Sequence, residues 1–292
     1  MRRLLPTLFV LGPACSRGED TAIELAPCVL TAAPSALFQV QQVEEEEGWE
    51  VHVSGQVFDG PIPRWQTTVL ESEHCRYGYY LPTTCQPECD RGSYCVDGDC
   101  LGWPEGISGG TLQVDGVGER LVLAMEDARP GHYHESVELP FDAFDEGSPV
   151  RFATSGDQFP AVRLAARGVR RIETPAAERG LSWTHGQEVT LTWDAGGDPE
   201  ACVSVELYTQ SYGHGTPIAN LLECVGPDTG SFTFPVEFVD LFPEYDTPGV
   251  CAGTDCPYPQ IRRFTSQIIS TAAGDAGLMV WTDDRFPLEA GS

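Results

Sequence analysis

The sequence predicts an all-β chain: two antiparallel β-sandwich domains, the first carrying a small disulfide-rich insertion. Three observations predict it. Apolar and polar residues alternate in short runs, spaced roughly every ten residues and separated by Gly, Pro and Asp. No amphipathic stretch is longer than about two helical turns. Cysteines crowd one segment, with four in the 16 residues from Cys85 to Cys100. A length of 292 residues suits two domains. We place the first at 22–171, with its cystine knot at 75–103, and the second at 172–292.

Charge narrows the partners. All 17 basic residues are arginine, and 44 acidic residues bring the net charge to −27. Such an excess excludes binding of nucleic acid or anionic head groups through a basic face. A hydrophobic fraction of 41% is enough for packed cores.

The N-terminus reads as an export signal over residues 1–14. Met1-Arg2-Arg3 is a charged start, Leu4 to Leu11 is apolar, and Gly12-Pro13-Ala14 places small residues before Cys15. The run ending at Cys15 resembles the lipobox of bacterial lipoproteins, which implies a lipid on that cysteine. Ser16, a non-acidic residue, then implies outer-membrane sorting. Ordinary cleavage before Cys15, giving a secreted or periplasmic protein, is the alternative. Residues 15–21 form a polar tether. No later stretch is long and apolar enough to span a bilayer, so membrane attachment is expected only through the N-terminal lipid. Eleven cysteines is an odd count; a lipid on Cys15 leaves ten, enough for five disulfides.

The first domain opens with a hairpin, Leu37 to Val43 and Glu50 to Phe58, around a solvated glutamate-rich turn. The cysteine-dense segment is too poor in apolar residues to hold its shape without cross-links. Zinc bound by thiolates is the rival reading, disfavoured by an oxidising compartment and the lack of any C-x-x-C. We expect crossed pairs, Cys85–Cys95 and Cys89–Cys100, which leaves Cys28–Cys75. Strand-like runs follow at Gly110 to Val114, Arg120 to Met125, Ser136 to Leu139, Val150 to Ala153 and Ala161 to Ala165. Residues 166–174 connect to the second domain.

In the second domain Val189, Leu191 and Trp193 form one inward set, and Val203, Val205 and Leu207 another. Leu222 and Cys224 continue on a third strand, Phe232 and Phe234 on a fourth. Pro235 suits the start of a short helical turn over 236–242. Arg262 to Ser270 and Leu278 to Thr282 close the domain. We expect Cys202–Cys224, although alternation sends Cys224 inward and Cys202 outward, so that this pairing requires a bulge at Cys202. Cys251–Cys256 closes a four-residue loop.

Seven or so short strands in about 120 residues match an immunoglobulin-like count. The segments IETP, GLSWTHGQEVTLTWDAGG, VSVELY, LLEC and PDTGSFTFP resemble the immunoglobulin-like domain of fungal serine/threonine-rich cell-wall proteins. They resemble more closely uncharacterised bacterial lipoproteins that share W-x-x-G-x-x-[VIL]-x-[VIL]-x-W. VRFATSGDQFPAVRLAAR and the cystine knot are also similar to parts of those proteins. The resemblance spans residues 172 to 245. It implies architecture and a cell-surface location, and carries over no catalytic residue.

Three features bear on chemistry. Asp228-Thr229-Gly230-Ser231 has the D-T-G-S order of aspartic proteases, whose mechanism requires two such aspartates sharing a proton. The chain has one, so the segment reads as a turn. His132 and His134, two apart on a strand, face the same way as zinc or copper ligands do, with His52, His74 or a carboxylate needed as a third. Tyr208, Tyr212 and His214 flank or occupy a Gly-rich loop at 209–217 and form a candidate platform for a sugar or peptide. Asp97 and Asp99 lack the rest of a calcium loop. We expect no catalytic residue, no cofactor and no enzyme. The expected role is display or binding at the envelope, with a protein or carbohydrate partner. A surface hydrolase or metal-binding protein and a structural spacer are the alternatives.

Overall fold

The computed structural model describes residues 23–45, 48–62, 66–79, 89–90, 93–96, 99–139, 142–210, 218–243 and 259–290. The chain is all-β and sandwich-like. Its first half forms β1 (Ala36–Glu45), β2 (Gly48–Val57), β3 (Thr67–Glu71), β4 (Cys75–Tyr79), β5 (Ser93–Val96) and β6 (Asp99–Gly102). These are followed by β7 (Leu112–Val117), β8 (Glu119–Leu123), β9 (His132–Leu139), β10 (Pro149–Thr154) and β11 (Arg163–Arg167). After α1 (Ala176–Arg179) come β12 (Leu181–Trp183), β13 (Val189–Thr192), β14 (Cys202–Gln210), β15 (Ile218–Pro227) and β16 (Ser231–Phe234). The chain ends with α2 (Val236–Leu241), β17 (Gln260–Thr271), β18 (Gly274–Arg285) and β19 (Leu288–Ala290). Period-two alternation located most of these strands. It missed β3 to β6, which lie beside and within the cysteine-rich segment, and β12 and β19, which at three residues each are too short to show a pattern.

One nine-stranded sheet, ordered β3-β4-β15-β14-β17-β18-β1-β2-β9, runs through the molecule. Four strands from after residue 172 form its central block and strands from before it flank them on both sides, so the boundary expected at 171/172 does not separate sheets. The halves meet at two joints, the antiparallel β4–β15 pair and a parallel pairing, Ala36 to Gln41 of β1 against Ala276 to Trp281 of β18. β12 and β19 also pair in parallel, so the sheets are mixed rather than purely antiparallel. Parallel neighbours need a long connection between them, and here that connection is most of the chain.

The second layer is divided. Over β18, β1, β2 and β9 lies a four-stranded sheet, β11-β10-β7-β8, and Phe38, Val53, Leu112, Phe152 and Val280 are buried between them. Over β4, β15 and β14 lie the β12–β19 and β13–β16 ribbons with α2. Trp183 is the centre of that second core, its ring edge-on to Phe234 at 5.2 Å and Phe242 at 5.7 Å. Its indole N–H donates to the Val239 carbonyl of α2. Two hydrophobic cores thus share one sheet, and each recruits a strand from the other half of the chain.

The disulfides follow this topology. Cys28–Cys202 and Cys75–Cys224 are formed, which corrects the expected Cys28–Cys75 and Cys202–Cys224. Cys224 faces the second core and lies directly opposite Cys75 of β4, with Cα atoms 4.1 Å apart. Cys202 faces the other side of the sheet, where Cys28 crosses it. Alternation therefore held: the β14–β15 register shifts only at Thr209/Gln210, and no bulge turns Cys202 round. Cys75 accordingly belongs to the large sheet and not to the knot. Cys89–Cys100 closes the β5–β6 hairpin. Cys85, expected to pair with Cys95, and the pair Cys251–Cys256 lie outside what the structure describes, as do the signal segment and Cys15.

Candidate binding surface

The outer face of the large sheet, opposite both cores, is covered in part by the N-terminal segment 23–35. The Ala26 amide donates to the Ser266 carbonyl, the Gln267 side-chain amide to the Glu24 carbonyl, and the Cys28–Cys202 disulfide fastens the segment to β14. Under this strap Cys202, Val225, Phe264 and Trp281 form a small buried cluster, with Leu30 and Met279 against it. The register explains the cluster, because Cys202, Phe264, Trp281 and Gln41 stand side by side on neighbouring strands.

Two residues further along the strands, on the same side of the sheet, the face becomes polar. Arg262 of β17 lies over the Trp281 ring, its guanidinium carbon 4.7 Å from the centroid, a cation–π contact that fixes both groups. Arg262 also donates to Glu206 Oε1, and Gln260 donates to Glu206 Oε2 at 2.6 Å. Gln41 donates to Asp283 at 3.0 Å. Tyr208 lies beside this group. Burial pushes its hydroxyl above the usual tyrosine range, the Glu206 charge adds to the rise, and Arg262 and Arg285 oppose it. A cavity of about 120 Å³ lies between strap and sheet, bordered by Pro27, Leu30, Phe264, Met279, Glu206 and Arg262. Two buried donors, Nε of Arg262 at its border and Nε1 of Trp281 beneath Arg262, have no acceptor among the described residues. Buried N–H groups without a partner are uncommon.

The other expected sites fall differently. Tyr212 and His214 lie outside the described residues, so of that loop site only Tyr208 is placed. His132 and His134 share a face of β9 but have different neighbours. His132 meets the Phe58 ring edge-on at 5.7 Å, with its Nδ1 3.1 Å from the Pro130 carbonyl. His134 stacks on His52 at 6.5 Å. His52 is itself engaged, its Nδ1 2.8 Å from Ser136 Oγ and its Nε2 3.4 Å from Glu50. Among the described residues no group of three His, Cys, Asp or Glu side chains could hold a metal ion.

Asp228 of the D-T-G-S segment is more than a turn residue. It accepts from Arg263 Nε at 2.6 Å, Trp193 Nε1 at 2.6 Å and the Gly196 amide at 2.7 Å. Arg263 also donates to the carbonyls of Arg170, Arg171 and Asp194. Both side chains are enclosed, at 0% and 1% exposure. Arg263 went unremarked in the sequence, yet a signal was there: it shares strand parity with Ile261 and Thr265, an arginine on the inward face.

No protein-family model matches the chain, and no curated protein is significantly similar to it. Among solved structures, one described as a Ca2+-stabilized adhesin that helps an Antarctic bacterium reach out and bind ice aligns with 89% of this chain. The identity is 12% and the TM-score 0.21, and the alignment spans 50% of that protein's chain. A likeness this loose carries no argument about function. Among the described residues no helix is long and apolar enough to cross a membrane, and the disulfides suit an extracellular or periplasmic setting.

Proposed function

We propose that this is an exported, non-catalytic binding protein of the bacterial envelope, held to the outer membrane by a lipid on Cys15. Its ligand is a carbohydrate or envelope protein engaged on the outer face of the large sheet. The observation that carries the reading is the pair of buried donors, Arg262 Nε and Trp281 Nε1, side by side and without acceptors among the described residues. An oxygen-rich ligand supplies what both lack, and the adjoining cavity of about 120 Å³ has room for one small pendant group.

Titration of the mature chain with envelope polysaccharides and with detergent-extracted envelope proteins, followed by tryptophan fluorescence, tests it. Trp281→Phe keeps an aromatic surface under Arg262 and deletes one donor. Saturable binding that weakens in this variant supports the proposal. Binding of equal strength in the variant, or none to any envelope fraction, overturns the site. An unmodified Cys15 in the mature protein, read by mass spectrometry, overturns the anchor.

A further inference from the structure

The two main sheets end in four edge strands, β3 and β9 in the large sheet and β8 and β11 in the smaller one. An edge strand carries a row of backbone N–H and C=O groups without a neighbour, and folded chains blunt such rows with bulges, charges or covering groups. Three of the four edges are blunted by their own geometry. The β3–β4 register slips between Thr68 and Leu70, and the β7–β8 register between Val114 and Val117; such bulges bend and twist a strand pair. On β11 the Ala165 amide is taken by the Gln267 side chain at 2.8 Å, and the Arg167 amide by Thr265 Oγ1 at 2.9 Å.

The β9 edge is different. All eight of its residues pair with β2, from Trp49 opposite Leu139 to Gln56 opposite His132, without a slip. The Gly131 carbonyl accepts from Val57 at the end of β2, whereas the His132 amide and carbonyl bond back to Arg129 and Glu126 of the preceding turn. Odd-numbered residues of β9 therefore turn their backbone groups to β2, and even-numbered ones turn them away. His134, Ser136 and Glu138 follow His132 in this, and their amides and carbonyls have no backbone partner among the described residues. All three residues are exposed. The side chains set what fits beside them. Toward the second layer Tyr133 is buried, and Val137 and Leu139 are only half-covered against the first core. Glu135, on that same side, is exposed and interrupts the apolar row. Opposite charges facing each other across a ladder are favourable and like charges are not, so Glu135 and Glu138 select a cationic strand. The net charge of −27 acts in the same sense at longer range, repelling a second copy of the chain and drawing a basic partner.

We infer that the β9 edge takes up an extended basic segment of a protein partner as a tenth strand, bonded to the backbone of His134, Ser136 and Glu138. In such strand addition the backbone supplies affinity and alternate side chains supply specificity. Antiparallel addition places cations opposite Glu138 and Glu135, an apolar residue opposite Val137, and small polar residues opposite Ser136 and His134. Read from its N-terminus, a matching segment is Lys-Val-Thr-Lys-Thr. The edge lies three strands away from β18, so it stands or falls independently of the strap face.

The test titrates the full mature protein with a capped nonapeptide carrying Lys-Val-Thr-Lys-Thr at its centre, read by calorimetry and by amide hydrogen exchange. The expected result is saturable binding that falls as salt is raised, with the His134, Ser136 and Glu138 amides exchanging more slowly in the complex. Reversing both charges, Glu135→Lys with Glu138→Lys, is expected to weaken binding about tenfold. Ser136→Pro removes one outward amide at an edge, where proline is tolerated, and is expected to abolish binding. Thermal unfolding of both variants is followed alongside, and the charge reversal carries the test should the proline variant unfold. No binding, equal binding of a Glu-Val-Thr-Glu-Thr peptide, unchanged affinity after charge reversal, or protection that spares the three amides each overturns the inference. So does a dimer of the free protein that dissociates in Ser136→Pro, since the edge then belongs to a second copy.

Discussion

The Arg263 guanidinium and the Asp228 carboxylate form an enclosed ion pair, Nε to Oδ2 at 2.6 Å, at the seam between the two hydrophobic cores. Arg263 reaches three carbonyls of the segments that cross this seam, Arg170, Arg171 and Asp194. A buried charge is tolerated when it is paired and its remaining donors are used, and here both conditions hold. Thr265 and Thr282, fully buried on the same face, continue the seam by bonding to the Arg167 and Arg170 carbonyls. The pair ties residues 167–174 and 193–197 to the common sheet.

Removing one member leaves the other charged and buried. Asp228→Ala is expected to lower stability by about 3–5 kcal/mol, and Arg263→Met by a similar amount. In the double variant the loss is expected to be smaller than the sum of the two. Urea unfolding of the three proteins checks this; additive losses would show that the two groups do not depend on each other.

Gly196 stands where its amide donates to Asp228, and a Cβ there would lie 2.6 Å from Asp228 Oδ2. Gly196→Ala is therefore expected to cost about 1–3 kcal/mol, the usual scale of overpacking. Gly186→Ala is not a neutral control, because Gly186 has φ +80°. Gly102→Ala, with open space around its Cβ position, is the suitable comparison, and a thermal shift in Gly196→Ala no larger than in Gly102→Ala would count against the close approach.

Peptide mapping without reduction should recover fragments joining Cys28 to Cys202 and Cys75 to Cys224. Fragments joining Cys28 to Cys75 would contradict the sheet order. The Cys28–Cys202 bond spans 174 residues, so replacing both cysteines with serine is expected to destabilise the chain by up to about 5 kcal/mol on the chain-entropy account. It should also expose residues 23–35 to proteolysis ahead of the rest.

Tyr77, Tyr133 and Tyr208 all have hydroxyls raised above the ordinary value of 10.0, chiefly by burial. A raised tyrosine is neutral in the folded chain at a pH where the unfolded chain has already lost the proton. The stability this represents is complete below pH 10 and is lost as pH climbs through the raised folded values. Unfolding midpoints should thus fall steeply above about pH 10. Tyr133 also accepts from the Gly109 amide and donates to the Gly110 carbonyl, both at 2.9 Å. Tyr133→Phe should flatten part of the alkaline fall and cost about 1–3 kcal/mol at neutral pH, because it strands the Gly109 amide. A midpoint that stays level to pH 11 would contradict the burial of these hydroxyls.

Much of the local structure was legible because alternation needs only a few neighbouring residues. Val189 and Leu191 of β13, Val203 to Leu207 of β14, and Phe232 and Phe234 of β16 announce their strands and their inward faces. The parity conflict at Cys202 and Cys224 was legible too, and following it would have excluded their pairing. The strap cavity was not legible. Arg262 and Trp281 belong to different strands, and only the β17–β18 register brings the guanidinium over the ring.

What the sequence by itself determined is the all-β class, the positions of most strands and the side of each strand that is buried. These follow from side-chain chemistry repeated at the period of the backbone. Only the tertiary structure decided that β1 lies beside β18, that both cores share one sheet, and which cysteine meets which. Strand pairing joins backbone groups that every residue carries alike, so the choice of neighbour is left to how whole faces pack, and that is settled between segments more than two hundred residues apart.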